Sequence, residues 1–119
     1  MAERRWRVRF GAAAELDFAN IVSWTTENFG ARQSRVNRNT LVQAIGELAD
    51  GPDVAGSKAR DEIMSGLRTL HIARHGRRGS HFLMYRVVAA GMTIEIVRIL
   101  HERTDLQRHL PPVPDEKAE

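Results

Sequence analysis

Apolar and basic positions alternate at the start of the chain, with Trp6, Val8 and Phe10 interleaved between Arg5, Arg7 and Arg9. A period of two sends successive side chains to opposite faces, so this segment predicts a short strand with one buried face, ended by Gly11. The period then changes. From Ala12 to Asn28 the residues Ala14, Phe18, Ile21, Val22 and Thr25, continued by Phe29, fall on one stripe of a helix. Gly30 suits the residue after a helix C-terminus. A second helix is expected from near Ala31 to Asp50, burying Leu41, Ala44, Ile45 and Leu48 until Gly51-Pro52 stops it. A connection of one or two residues around Gly30 leaves the two helices no choice but to fold back as an antiparallel hairpin.

From Asp50 to Gly66 no period holds, and the stretch reads as a long loop. Three strand-like runs follow, at Leu67 to Arg74, His81 to Ala89 and Met92 to His101, separated by Arg74 to Ser80 (RHGRRGS) and by Ala90-Gly91. Such short turns imply an antiparallel meander. Thr104 can cap one helical turn reaching Leu110 before Pro111-Pro112 end it. The expected class is α+β, with an N-terminal strand, a helical hairpin and a three-stranded meander in one sheet. One domain spans 1–110 and a disordered tail spans 111–119. About four strands covered on one face by the hairpin would leave the other face, or a groove at the sheet edge, open to a partner.

Composition narrows the class. At 119 residues, with 42% hydrophobic and 28% charged residues, the chain can bury one core without a disulfide or metal staple. The absence of cysteine excludes disulfide frameworks, zinc ribbons, iron–sulfur sites and thiol nucleophiles. No apolar run approaches the ~18 residues of a membrane span, and the basic start is not followed by an apolar stretch. Neither a signal peptide nor membrane association is expected, and the location expected is the cytoplasm. Eighteen Lys+Arg against fifteen Asp+Glu give +3, and all but Lys58 and Lys117 of those bases are arginine. The guanidinium fork matches carboxylates and phosphates, so the bias points to an acidic partner or to a soluble surface.

The "ENFG" turn of the hairpin, "DEI.SGLRTL", "GSHFLMYRV" and above all "IEIVRILHERTDLQRHLP" resemble the ParE branch of the RelE/ParE toxins of bacterial type II toxin–antitoxin systems. The resemblance covers about residues 5 to 111. It implies a RelE/ParE-like fold and a small toxin causing growth arrest and serving plasmid stabilisation. A ParD-like antitoxin would hold it inactive, and operator DNA would be met only through that antitoxin. ParE-type members poison DNA gyrase, whereas RelE-type members cleave mRNA on the ribosome, and fold alone does not choose between them.

Metal-independent RNA cleavage needs a base for the 2′-OH, an acid for the leaving oxygen and cations around the phosphorane. If the chain were a nuclease, Arg74, Arg86 and His101 are the residues that would carry it, with His71, His81 and Arg98 also in view. Strand parity sets Arg86 with Phe82, Met84 and Val88, and Arg98 with Ile94, Ile96 and Leu100. The competing reading pairs each guanidinium with a carboxylate such as Glu95, Asp61 or Glu62. His101 ends the last strand, near where RelE-type nucleases carry catalytic residues. Those enzymes present several basic residues and a terminal tyrosine, whereas here Glu102-Arg103-Thr104-Asp105 follows and the only tyrosine is Tyr85. The first reading is therefore a toxin without chemistry of its own, and mRNA cleavage is the alternative. No Walker loop, dinucleotide glycine pattern or HExxH is present, and His71, His75, His81, His101 and His109 lack helical metal spacing. Neither cofactor nor metal is expected.

Two surfaces stand out for binding. Leu16, Asn20 and Trp24 form an i, i+4, i+8 row displaced from the buried stripe, where an antitoxin helix could lie; the alternative packs Trp24 against the second helix or the loop. Arg74, His75, Arg77, Arg78 and His81 crowd a hairpin tip, and Arg74, Arg77, Arg78 and His81 are the candidates for contact with the target or an acidic partner. A solvated turn is the competing reading.

Overall fold

The computed structural model describes residues 5–88 and 91–104. Its elements are β1 (Arg7–Phe10), α1 (Ala12–Glu47), β2 (Lys58–Ala59), β3 (Leu67–His71), β4 (His81–Val88) and β5 (Thr93–His101), with a short 3-10 turn at Leu48–Asp50. The strands form one sheet in the order β1-β5-β4-β3-β2. Strands β2 to β5 run antiparallel to their neighbours, and β1 lies parallel to β5. The meander and the leading strand are thus as expected. The sheet has one strand more, because Lys58–Ala59 of the long loop pairs with Thr69 and Arg68. Two residues are too few to carry a recognisable period. The expected helical turn from Thr104 to Leu110, the tail 111–119, and the strand end and turn at Ala89 and Ala90 lie outside the described residues.

The segment Ala12–Glu47 is helical on both sides of Gly30, which adopts φ 92° and ψ 168°. A side chain disfavours this left-handed region and glycine does not, so the break falls there. Residues twelve apart on a straight helix stand about 18 Å apart. Here Ser34 Oγ donates to the Val22 carbonyl at 3.3 Å, and Asn37 Nδ2 donates to Thr25 Oγ1 at 3.3 Å. The two arms therefore fold back on each other as an antiparallel hairpin. The apolar stripe holds for Ala14, Thr25, Leu41, Ala44 and Leu48, all buried. Phe29 departs from it: placed next to the break, it is 63% exposed.

The main core packs Ala14, Leu41, Ala44 and Leu48 of the helical layer on Leu70, Ile72, Leu83, Tyr85, Ile94, Ile96 and Ile99 of the sheet, with Trp6, Val8 and Phe10 alongside. The other sheet face is not left open as expected. Leu67, Met84, Val97 and Leu100 form a second cluster there, roofed in part by Ile63 and Met64 from the loop. That loop is pinned through the Pro52 carbonyl, which accepts from Tyr85 Oη at 2.6 Å and Arg68 Nε at 2.9 Å. The β4–β5 register steps from Met84↔Arg98 to Tyr85↔Ile96 and skips Val97. This bulge shifts the phase of β5, so Ile99 joins Ile94 and Ile96 on the helix face while Leu100 joins Val97 opposite.

Candidate functional site

A groove of about 830 Å³ opens where the helical hairpin overhangs the end of the sheet. Its helical wall carries Asn20, Ile21, Trp24 and Thr25 from the first arm, Phe29 beside the break, and Gln33 and Asn37 from the second arm. Its floor is the chain from Arg78 to His81 together with His101. Trp24 is 57% exposed and meets Phe29 edge to face, ring centroids 5.6 Å apart. Two large rings therefore hold each other in water instead of in the core. Gly79 brings the floor close to the sheet, since a Cβ there would sit 2.6 Å from Ile72 Cγ1.

The floor is built by the register of the last hairpin. His81 lies directly opposite His101, on the face of the sheet that the helices cover, and the rings stand 5.4 Å apart in an edge-to-face arrangement. His81 Nδ1 is buried without a hydrogen-bond partner among the described residues. Burial, and secondarily the neighbouring His101, hold the His81 pKa below its ordinary value, with Glu102 acting weakly the other way. His101 Nδ1 accepts the Arg103 amide at 3.1 Å, which leaves Nε2 to carry the proton of the neutral ring. On the opposite face His71 Nδ1 accepts the Ala73 amide at 3.0 Å and Nε2 meets Glu102 Oε1 at 2.8 Å, so His71 is committed to its own loop.

The guanidiniums singled out by sequence divide sharply. Arg74 is no free tip residue: its Nε donates to Glu47 Oε1 at 2.6 Å and its Nη1 to the Ala55 carbonyl at 2.7 Å, clasping the hairpin loop to the end of α1. Arg86 lies opposite Glu95 and donates to it through Nε at 3.0 Å and Nη2 at 2.9 Å. Arg98 donates to Asp17 through Nε at 2.7 Å, and the same carboxylate accepts the Ile99 amide at 2.9 Å. Asp17 was absent from the carboxylates expected for it, because its approach from the first arm depends on how the hairpin docks on β5. Arg77 and Arg78 remain exposed. His81 is half-buried in the groove, not exposed at the tip.

Of the row expected to face an antitoxin, Asn20 and Trp24 line the groove, while Leu16 is 62% exposed but stands off its wall. Phe29, Gly79 and the His81–His101 pairing were missed. The signal for Phe29 was its place next to Gly30, where a stripe cannot be extrapolated. Among the described residues no carboxylate lines the groove, and no group of three or more metal-ligating side chains occurs. No helix among them is long and apolar enough to cross a membrane. The arrangement suits capture of an apolar segment whose anionic end lies over Arg78 and the histidines.

Residues 8–106 match the model of the ParE toxin of type II toxin–antitoxin systems. The chain belongs to the ParE toxin family. Toxin ParE1 of Mycobacterium tuberculosis is 36% identical over 104 residues, covering 87% of this chain and 97% of the relative. Toxin ParE of Escherichia coli is 33% identical over 99 residues, covering 83% and 87%. Among solved structures, the chromosomal ParDE system from P. aeruginosa superimposes with a TM-score of 0.65 at 19% identity, covering 83% of this chain and 98% of that one. A YoeB/ParE toxin from Agrobacterium tumefaciens gives 0.56 at 13% identity, covering 80% and 96%. At these identities the structural likeness speaks for the α+β fold alone.

Proposed function

We propose that this ParE-family toxin acts in the cytoplasm by binding DNA gyrase, and that a ParD-like antitoxin neutralises it by laying an amphipathic helix in the groove. Operator DNA is met only through the antitoxin. The observation that carries the antitoxin site is the exposed Trp24–Phe29 pair at the mouth of a groove that no described carboxylate lines. Large exposed apolar side chains grouped in a concavity favour a partner, and an interface tryptophan is commonly worth about 2 kcal/mol or more. Trp24→Ala should leave the melting midpoint nearly unchanged, yet weaken binding of the antitoxin encoded beside the gene by about thirtyfold. A large fall in midpoint with affinity preserved would place Trp24 in the fold and the interface elsewhere.

The gyrase target rests on the family likeness and on the absence of free cations at the expected nuclease positions, since Arg74 and Arg86 each serve a carboxylate. Induction should arrest growth with DNA damage signalling while protein synthesis continues, and the purified toxin should inhibit gyrase supercoiling. The second reading, cleavage of ribosome-bound mRNA, is favoured by one observation, the His81–His101 contact beside Arg78 in the groove. A neutral His81 would take the 2′-OH proton while His101, entering the step as imidazolium with its Nδ1 released from the Arg103 amide, would give its Nε2 proton to the departing 5′-oxygen and end neutral, leaving a cyclic phosphate. Loss of translation within minutes of induction, abolished by His101→Ala, would replace gyrase with mRNA.

A further inference from the structure

β1 lies at one end of the sheet order, with β5 on one side and, among the described residues, no strand on the other. In a parallel ladder, alternate residues turn both backbone groups to the same neighbour. Arg7 and Gly11 donate to Met92 and Ile96 of the β5 side, so the residues between Arg7 and Gly11 in the same phase do likewise. Val8 and Phe10 therefore point their amides and carbonyls away from β5; the Trp6 amide, in the same phase, is already taken by the Ala49 carbonyl at 2.9 Å, so the free stretch of this edge begins at Val8. Their side chains pack on the core, while Arg5, Arg7 and Arg9 stand exposed on the opposite face and make no ion pair with a described residue. Arginines two apart along an extended chain repeat every ~6.6 Å, which is the repeat of same-face side chains on any strand laid beside them.

We propose that the β1 edge from Val8 onward accepts an extended, acidic segment of a partner protein as an additional strand, Val8 and Phe10 supplying the backbone pairing and Arg7 and Arg9 facing carboxylates at alternate positions. Charge complementarity selects the segment, and the strand repeat sets its register. A nucleic acid would satisfy the arginines but leave the Val8 and Phe10 amides without acceptors in line, so the backbone edge favours protein. No residue of β1 lines the groove, and the inference depends on neither the gyrase nor the antitoxin reading.

The test uses the full chain, isotopically labelled, with a capped synthetic peptide of alternating glutamate and valine as the probe. The peptide should slow hydrogen exchange at Val8 and Phe10, whereas Arg7 and Arg9 amides, already bonded within the sheet, should change little. Methylating the peptide's backbone nitrogens along one edge should cost about tenfold in affinity, as should Arg7→Glu, with the melting midpoint of the variant unchanged. Equal binding of the methylated peptide would reduce the interaction to charge and overturn the proposal. So would tighter binding of a single-stranded oligonucleotide that Arg7→Glu abolishes. Slow exchange at Val8 and Phe10 in the free chain would show the edge already taken, by the chain itself if independent of concentration and by a second copy if not. Absence of any peptide binding would mean that the arginines serve only to keep other strands off.

Discussion

His81 places a titratable ring where charge is costly. Its folded pKa lies below its ordinary 6.5, chiefly through burial, so below that pH the unfolded chain binds a proton the folded chain resists. Stability attached to His81 is therefore complete above pH 6.5 and is lost as the pH falls toward the folded pKa. Melting midpoints followed downward from neutral pH should decline in this window, and His81→Phe should flatten the decline. Glu102, held low mainly by its hydrogen bond from His71, acts in the same direction but only below its ordinary 4.5, so the two effects separate. Neither the burial of His81 nor the capture of Arg74 by Glu47 was legible in the string RHGRRGSH. Five basic or imidazole groups within eight residues read as an exposed tip, and only the fold reveals that Arg74 and His81 turn inward from it.

Among the elements, those with a sustained period were readable and those made by pairing alone were not. The helical stripe, the meander and the break at Gly30 follow from spacing and from the conformational freedom of glycine. The short β2 strand, the skipped Val97 and the roof of Ile63 and Met64 over the second sheet face all depend on which neighbour a segment meets. The break itself is testable. At φ 92° and ψ 168°, with open space where a Cβ would lie, Gly30→Ala meets no clash and loses stability only through a backbone conformation that side chains disfavour, about 1–3 kcal/mol. Chemical denaturation should show that loss with the slope unchanged, because the hairpin still closes through Ser34 and Asn37.

Across the domain, Asp17 is the tie between the layers. One carboxylate on the first arm accepts from Arg98 and from the Ile99 amide of β5, beyond the point where β1 stops covering that strand's edge. Asp17→Ala removes charge-assisted bonds at a half-buried site and should cost about 3 kcal/mol, read as a fall in melting midpoint on the order of 10 °C. Because the same arm carries Trp24, the variant should also loosen the groove, with faster amide exchange along the hairpin than across β3 and β4. The general site was legible from sequence through Trp24 and Asn20, but its floor required the β4–β5 register that sets His81 against His101.

The place of β5 in the sheet bears on how the protein comes into being. The strand made last among those described lies between β4 and the strand made first. Until Thr93–His101 emerges during synthesis, β1 lacks its only strand neighbour, Asp17 has neither Arg98 nor Ile99 to hold, and the groove has no His101. Closing so distant a pairing is the slow part of folding such a topology. A ribosome adds residues at roughly 5–20 per second, so assembly of the sheet waits until β5 has been made. Until β5 is made the growing chain cannot complete the groove, so a partner that docks there meets its full surface only after that strand has formed.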